Sequence, residues 1–472
     1  MDYLVVSDLH IGGDGDLDIF HSQATLASFL KLPYEKPQTL IINGDFIDFL
    51  AVPPFGAFNR AAARDKIQKI AGAASNQEVW ASFRAFLDAN SKNRIDILLG
   101  NHDVELVFAE VQEALRRVMA EPNGAHRIQF LIDRLSYPRL VVGGVNVHVE
   151  HGFQYDLFNW YDHNKLIQAT DNNQDGTKFM LPAGSRLVYA VLNNLTPNHK
   201  FIPLLKPEKA VFWLMVALAP REVFRQIGPA ATIGASTFTA SLRKYLRGGR
   251  QLGASATVPA ASQASPYTAL QAQLAEMLLD GSLSKNTVLD VEEFLKNGTG
   301  SEKPSRNITF ASSPRLRGKL FLVRRALKSL KYERDTFFDT TQRDDFESAL
   351  DQILAAKAQV AIFGHSHGKK MLTLYKKVKS PGKTLFLNRP RLLYVNTGTW
   401  ADLLDFDIAI LNDNAKAQKW LDDLEAGRFK PTLIYTYARL RELSGGRGVR
   451  VSLEEWRDNQ PHEVEKAQEI RP

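Results

Sequence analysis

Five short polar blocks recur along the 472 residues, and each directly follows a hydrophobic, β-like run. They are Asp8-Leu9-His10, Gly44-Asp45-Phe46-Ile47-Asp48, Gly100-Asn101-His102-Asp103, His151-Gly152 and Gly364-His365-Ser366-His367. The runs before them cover residues 3–6, 40–42, 95–99, 145–149 and 360–363. In an open α/β sheet, ligands bind where strands end at the carboxyl edge. The chain must therefore fold so that five such strand ends can share one site.

The texture along the sequence divides it. Up to residue 152, short apolar strands alternate with amphipathic helices, such as 78–89 and 104–119, which predicts a layered α/β domain. Strands return at 360–363, 370–375, 384–387, 392–395, 408–411 and 433–437, separated by turn residues, and predict a predominantly antiparallel second half of a sheet sandwich. Alternation is lost over residues 153–354, where helical periodicity, basic clusters and two spacers (248–266 and 296–307) read as an inserted helical cap with flexible segments. The expected division is 1–152 with 355–445 as one domain, 153–354 as the cap and 446–472 as a charged, peripheral tail. Both ends of the insertion abut polar blocks, so the cap is placed to shape a substrate pocket.

With no cysteine in the sequence, disulfides, thiolate metal sites and cysteine nucleophiles are excluded. Any metal must be held by nitrogen and oxygen. The net charge of +7 favours an anionic substrate or surface. The opening residues carry no secretory pattern, and the longest apolar stretch, residues 210–220, is about half of the roughly 20 residues a spanning helix needs. A cytoplasmic location is the expectation, with no transmembrane helix.

Singly, each block has an ordinary explanation: a surface turn, a helix N-cap, a loop with solvated histidines. Jointly, those explanations give no reason for complementary ligand types at successive strand ends. Asp8 and His10, two residues apart at a strand end, point to one side and can meet one ion. Asp45 can bridge two cations, whose repulsion at about 3.5–4 Å calls for an anion between them. Asn101 offers a carbonyl oxygen, and His151, His365 and His367 offer imidazole nitrogens. His148 lies within a strand and reads as a satisfied sheet histidine, so His151 at the strand exit is the preferred ligand.

The five blocks together resemble the calcineurin-like metallophosphoesterase superfamily, over roughly residues 1–152 and 355–412. The resemblance implies a four-layer αββα sandwich binding two divalent ions. It would place Asp8, His10 and His367 on one ion, Asn101, His151 and His365 on the other, and Asp45 between them. It would also make His102 the proton donor, oriented by Asp48. The expected reaction is hydrolysis of a phosphoester or phosphoanhydride by a hydroxide generated between the ions. Mixed carboxylate, amide and imidazole donors suit Mn²⁺ first, and also Fe²⁺, Zn²⁺ or Co²⁺.

Substrate is less constrained. Within the superfamily the chain is similar to bacterial UDP-2,3-diacylglucosamine pyrophosphatases in its Ser-Asp-Leu-His opening and the position of its cap. It differs in its longer insertion, in His102 where those enzymes usually have arginine, and in Phe153-Gln154-Tyr155-Asp156. That resemblance implies a lipid-linked nucleotide-sugar pyrophosphate as one substrate class, beside phosphorylated small molecules. A basic amphipathic helix at 319–331 and the group Arg243, Lys244, Arg247 and Arg250 would allow peripheral contact with the inner face of a membrane. A nuclease and a non-catalytic metal-binding scaffold are the other readings. Nucleic acid is less favoured because no aromatic-basic interleaving or recognised module is present. Asp171, Asn173, Asp175 and Gly176 match the start of a calcium loop, but its twelfth position is Pro182, and a polar turn is the better reading.

Overall fold

The computed structural model describes residues 1–32, 36–56, 58–156, 159–171, 179–206, 355–374, 377–380, 383–386, 392–405 and 413–472, with 211, 214, 215, 218, 219, 222, 223, 353, 409 and 410. The chain separates into two units: Met1–Ser185, Arg334–Asp405 and Lys430–Pro472 in one, Arg186–Glu333 and Phe406–Phe429 in the other.

The first unit holds two large sheets. In one, β1 (Asp2–Val6), β2 (Gln38–Asn43), β3 (Arg94–Leu98) and β4 (Ile128–Leu131) run parallel. The other is built from β5 (Leu140–Val142), β6 (Val145–Val149), β7 (Val360–Phe363), β8 (Lys370–Leu374) and β11 (Leu392–Asn396), in the order β5-β6-β7-β11-β8. Strands β9 (Lys377–Ser380) and β10 (Lys383–Phe386) form a separate antiparallel pair. Branched aliphatic side chains on the facing sides, among them Val5, Ile41, Val147, Val149, Ile362, Val395 and Leu440, make one core between the sheets. β2 is buried at every residue, as a parallel strand covered on both faces must be.

Helices α1 (Gln23–Leu30), α2 (Arg60–Gly72), α3 (Gln77–Ala89) and α4 (Ala109–Ala120) bury one stripe each. Val79, Trp80, Phe83, Phe86 and Leu87 recur at helical spacing along α3, and Val111, Leu115 and Met119 along α4. Two sheets with helices fit the expected metallophosphoesterase sandwich. No helix among the described residues is long and apolar enough to cross a membrane.

Four details differ from the sequence reading. Helix 104–119 is interrupted: Val104–Val107 is a 3-10 turn, Phe108 is extended, and α4 starts at Ala109. The break lets Phe108 bury against Phe58, while Glu105, fully buried, pairs with Lys66. The second half is mixed, because β7 runs parallel to both β6 and β11. Ala409 and Ile410, expected in a strand, lie in a helical turn.

The largest correction concerns residues 446–472. They supply β13 (Val449–Arg457), β14 (Gln460–Glu463) and β15 (Gln468–Ile470), and β13 joins the first sheet through β12 (Thr436–Glu442). The segment is rich in charge, yet Val449, Val451 and Leu453 alternate and are completely buried. Glu454 is buried too, accepting hydrogen bonds from Tyr437 Oη at 2.6 Å and Ser452 Oγ at 2.5 Å. The spacers, the 319–331 helix, the 243–250 basic group and most of the calcium-loop candidate lie outside the described residues. The second unit, where described, is helical, with short turns such as Ile202–Leu204 and a helix at Asn414–Glu425 capped by Asp413.

Candidate metal centre

Each block leaves the carboxyl end of its strand. Asp8 and His10 follow β1, Asp45 and Asp48 follow β2, Asn101 and His102 follow β3, His151 follows β6, and His365 and His367 follow β7. Five of these residues have left-handed backbone: Asp8 (φ 54°), His10 (52°), Asp45 (50°), His365 (65°) and His367 (57°). For residues other than glycine, this conformation costs on the order of 1–3 kcal/mol each and persists only where the surroundings over-determine it. It turns both side chains of Asp-x-His, and both of His-x-His, out of the strand direction into the loops' common space.

Glycines make room for that convergence. Gly44 has φ +80°, and a Cβ there would strike the imidazole of His151. A Cβ at Gly100 would strike the backbone nitrogen and carboxylate of Asp45.

Three overlapping groups of side chains could each hold a cation: Asp8, His10, Asp45 and His367; Asp45, His151 and His365; and His10, Asp48 and His102. Asp45 is common to the first two. Its Oδ1 accepts the backbone N–H of His102 at 2.8 Å, which leaves Oδ2 at 3.3 Å from His151 Nε2 and 3.8 Å from His10 Nε2. Asp8 is arranged alike. Oδ2 accepts Ser7 Oγ–H and the backbone N–H of His365, while Oδ1 lies 3.2 Å from His367 Nε2 and 3.9 Å from His151 Nε2. Each carboxylate thus has one oxygen fixed by the protein and one facing imidazole nitrogens.

The histidines are oriented from behind. His151 Nδ1–H donates to the carbonyl oxygen of Asn43 at 2.7 Å, which turns Nε2 toward the two aspartates. His10 Nε2 and His367 Nε2 lie 3.3 Å apart. Asp48 reaches two imidazoles, with Oδ1 3.1 Å from His102 Nδ1 and Oδ2 3.3 Å from His10 Nδ1. His365 Nε2 is 3.2 Å from Asp156 Oδ2. His148, by contrast, pairs with Glu150 at 3.1 Å and belongs to none of the three groups.

Protonation follows from this crowding. Burial would raise Asp8, but His151 and His367 outweigh it and hold the carboxyl at about 2. Asp45 and Asp48 likewise fall well below the usual range despite burial, Asp45 through His151 and His102, Asp48 through His102 and His10. Burial would lower His151, yet Asp45 and Asp8 push it up to about 9. The carboxylates that hold a proton on this imidazole are the charges that would draw a cation into its place.

The donor set fits divalent cations. It is made of oxygen and imidazole nitrogen, two of its carboxylates are ionised, and buried Asn101 Oδ1 finds no hydrogen-bond donor among the described residues. An acceptor left in this way is costly unless a cation meets it.

Several supporting residues were not singled out from sequence. Asp103 accepts the backbone N–H groups of Phe46 at 2.8 Å and Gly100 at 2.6 Å, tying the second block to the third. Burial and the charge of Asp45 push it up to about 7. The carbonyl of Asp8 accepts from Trp400 N–H and Thr399 Oγ–H, and Asn396 Nδ2 donates to the carbonyl of Gly364. Asp103 was visible as the end of a block. The others carry no local signal, since their partners lie far away in sequence.

Residues 1–205 match the family model described as calcineurin-like phosphoesterase. The match contains four of the five blocks. This region is similar to a calcineurin-like phosphoesterase domain. Members of that family are hydrolases acting on phosphoester bonds and usually bind two divalent metals, and the His/Asp groups present here fit that metal requirement. No curated protein matches the chain.

Proposed function

We propose that this protein hydrolyses a phosphoester or phosphoanhydride at a centre of two divalent cations. Asp8, His10 and His367 hold one, Asn101, His151 and His365 hold the other, and Asp45 joins them. The observation that carries this reading is the double membership of Asp45, whose free oxygen faces imidazoles of both groups. Mn²⁺ is the proposed ion, with Fe²⁺, Zn²⁺ and Co²⁺ compatible with the same donors. When bound, the ions supply Lewis acidity and a nucleophile available at neutral pH.

The chain's own residues do the rest. Left-handed loops and the bonds of Ser7, Asn43 and Asp103 hold the donors in place before substrate arrives. Asp48 fixes His102 through Nδ1, and His102 protonates the leaving oxygen. Asp48 also holds His10, so it joins the proton donor to one ion's ligand set.

The scaffold reading loses support because no candidate ligand is missing. Neither a lipid-linked pyrophosphate nor a nucleic acid gains support from the described residues. A cytoplasmic location remains part of the proposed reading. The decisive experiment is a Mn²⁺-dependent hydrolysis panel of a monoester, a diester, a nucleotide-sugar lipid and DNA. Turnover of at least one is expected, and no turnover of any by fully metallated protein would refute hydrolysis at this centre.

A further inference from the structure

The stretch that follows His151-Gly152 carries aromatic side chains at Phe153, Tyr161 and Phe179, and all three are buried in the first unit, which runs to Ser185 before the chain leaves it. Tyr161 is stacked on Phe153, with ring centroids 4.5 Å apart and planes 14° from parallel, and meets Phe179 edge to face at 5.7 Å. Phe179 packs in turn against Phe58, and Arg60 donates to the carbonyl of Thr170 in the helix His163–Asp171. Aromatic pairs in such geometries hold each other's orientation. The Tyr161 hydroxyl is thereby aimed at the third polar block, where it donates to the carbonyl of Gly100 at 3.2 Å.

We propose that Tyr161, together with Asp156, is a positioning residue for one cation of the two, the one assigned to Asn101, His151 and His365. The inference rests on the two-cation reading above and deepens it, by giving each ligand set its own support in the chain.

Three observations lead there. The first is the place of the hydrogen bond. The Gly100 carbonyl belongs to the peptide whose nitrogen is that of Asn101, so the bond fixes the plane from which the Asn101 side chain departs. Gly100 is held on other sides as well: its N–H donates to Asp103 Oδ1 at 2.6 Å, and a Cβ on it would strike Asp45. Asn101 Oδ1 finds no hydrogen-bond donor among the described residues, so the backbone carries much of its positioning.

The second observation is convergence. Asp156, from the same stretch as Tyr161, has Oδ2 3.2 Å from His365 Nε2, and Ser185 Oγ makes a longer contact of 3.5 Å with the carbonyl of Asn101. These contacts fall on one ligand set. The third is that residues 397–400, after β11, serve the other set. The Asp8 carbonyl accepts from Trp400 N–H at 3.1 Å and Thr399 Oγ–H at 2.8 Å, and Ser7 Oγ, which donates to Asp8, lies 2.7 Å from Thr397 Oγ1. Ligand sets supported by separate stretches of chain can be loosened one at a time.

The test is calorimetric titration of the metal-free full chain with Mn²⁺. Two binding steps are expected in the unaltered chain. Tyr161→Phe keeps the stacked ring and removes only the hydroxyl, so it should weaken one step about fivefold to tenfold, as one lost hydrogen bond would, and leave the other unchanged. Asp156→Asn should weaken the same step, and takes the place of Tyr161→Phe if that variant does not fold. Thr399→Val should weaken the opposite step. A merely structural role for Tyr161 would move both steps together. Equal weakening of both steps by Tyr161→Phe, weakening of neither, or Tyr161→Phe and Thr399→Val acting on the same step would overturn the proposal.

Amide hydrogen exchange in the metal-free chain tests the support without any ion. In Tyr161→Phe the amides of Gly100 and His102, which donate to the carboxylates of Asp103 and Asp45, should exchange at least about fivefold faster, while those of Asp8 and His10, which donate to the carbonyls of Gly44 and Asp45, keep their rates. Equal acceleration of both pairs, or of neither, would refute the assignment of Tyr161. Fewer than two Mn²⁺ ions bound by the unaltered chain would refute the two-cation reading by itself, and the exchange rates would then decide on Tyr161 alone.

Discussion

The centre and a cavity of about 300 Å³ beside it share His367 but are built differently. At the centre, five candidate ligands sit in left-handed backbone, three glycines (Gly44, Gly100 and Gly364) leave no space for a methyl group, and both key carboxylates are buried. The cavity is lined by lysines, threonines and short apolar side chains, and none of its non-glycine residues has positive φ apart from His367. A site that must hold divalent charge in one geometry needs strain and close packing. The wall of a cavity carries no such demand and can be made of ordinary residues.

The contrast can be broken at several places. The largest effect is expected for Asp45→Asn, which should lower activity more than about 100-fold, beyond the loss typical of a residue one step removed from the metal; near-normal turnover would remove Asp45 from the centre. His102→Ala should lower kcat by roughly 10²–10³-fold while metal content by elemental analysis stays unchanged. Equal loss of metal would make His102 a ligand instead. Asp48→Asn should lower both, since Asp48 holds His10 as well as His102.

Gly100→Ala sharpens the packing side. Its methyl group would meet Asp45, so a destabilisation of about 1–3 kcal/mol is expected in thermal or denaturant unfolding. An unchanged midpoint would mean that the loop gives way easily. For Asp156→Asn, a weakening of metal affinity by about tenfold is expected by titration, because Asp156 orients His365.

The smallest effect lies outside both regions, at Asp18. Burial raises its carboxyl to about 7, from an ordinary value near 3.8. A carboxyl raised on folding costs nothing while it is protonated in both states, and costs progressively more as pH climbs from about 4 to 7. Asp18→Asn should thus raise the melting temperature by about 1–3 °C at pH 8 and leave it unchanged near pH 4. The opposite pH order would contradict the burial of this carboxyl.

The same contrast explains what could be read from sequence. The strands behind the five blocks are legible because buried parallel strands are short apolar runs, and the candidate ligands because their residue types recur at strand ends. Left-handed φ at Asp8 or His365 has no signature in a single sequence. Asp103 and Asn43 act on distant partners, Phe46 and His151, so only the fold reveals what they do. The cavity was invisible for the same reason: Lys369, Thr399 and Thr432 come from three separate loops. Residues 449–453 carry a period of two, with Val449, Val451 and Leu453 buried, beneath a charge density that by itself reads as a tail.

The central claim is that Asp45 joins two cations. Loading the full chain with Mn²⁺ and recording metal content beside the electron paramagnetic resonance spectrum tests it most directly. Two ions per chain with an exchange-coupled signal are expected, and both the coupling and at least one ion should disappear in Asp45→Asn. Two ions retained with coupling intact in that variant would contradict the account.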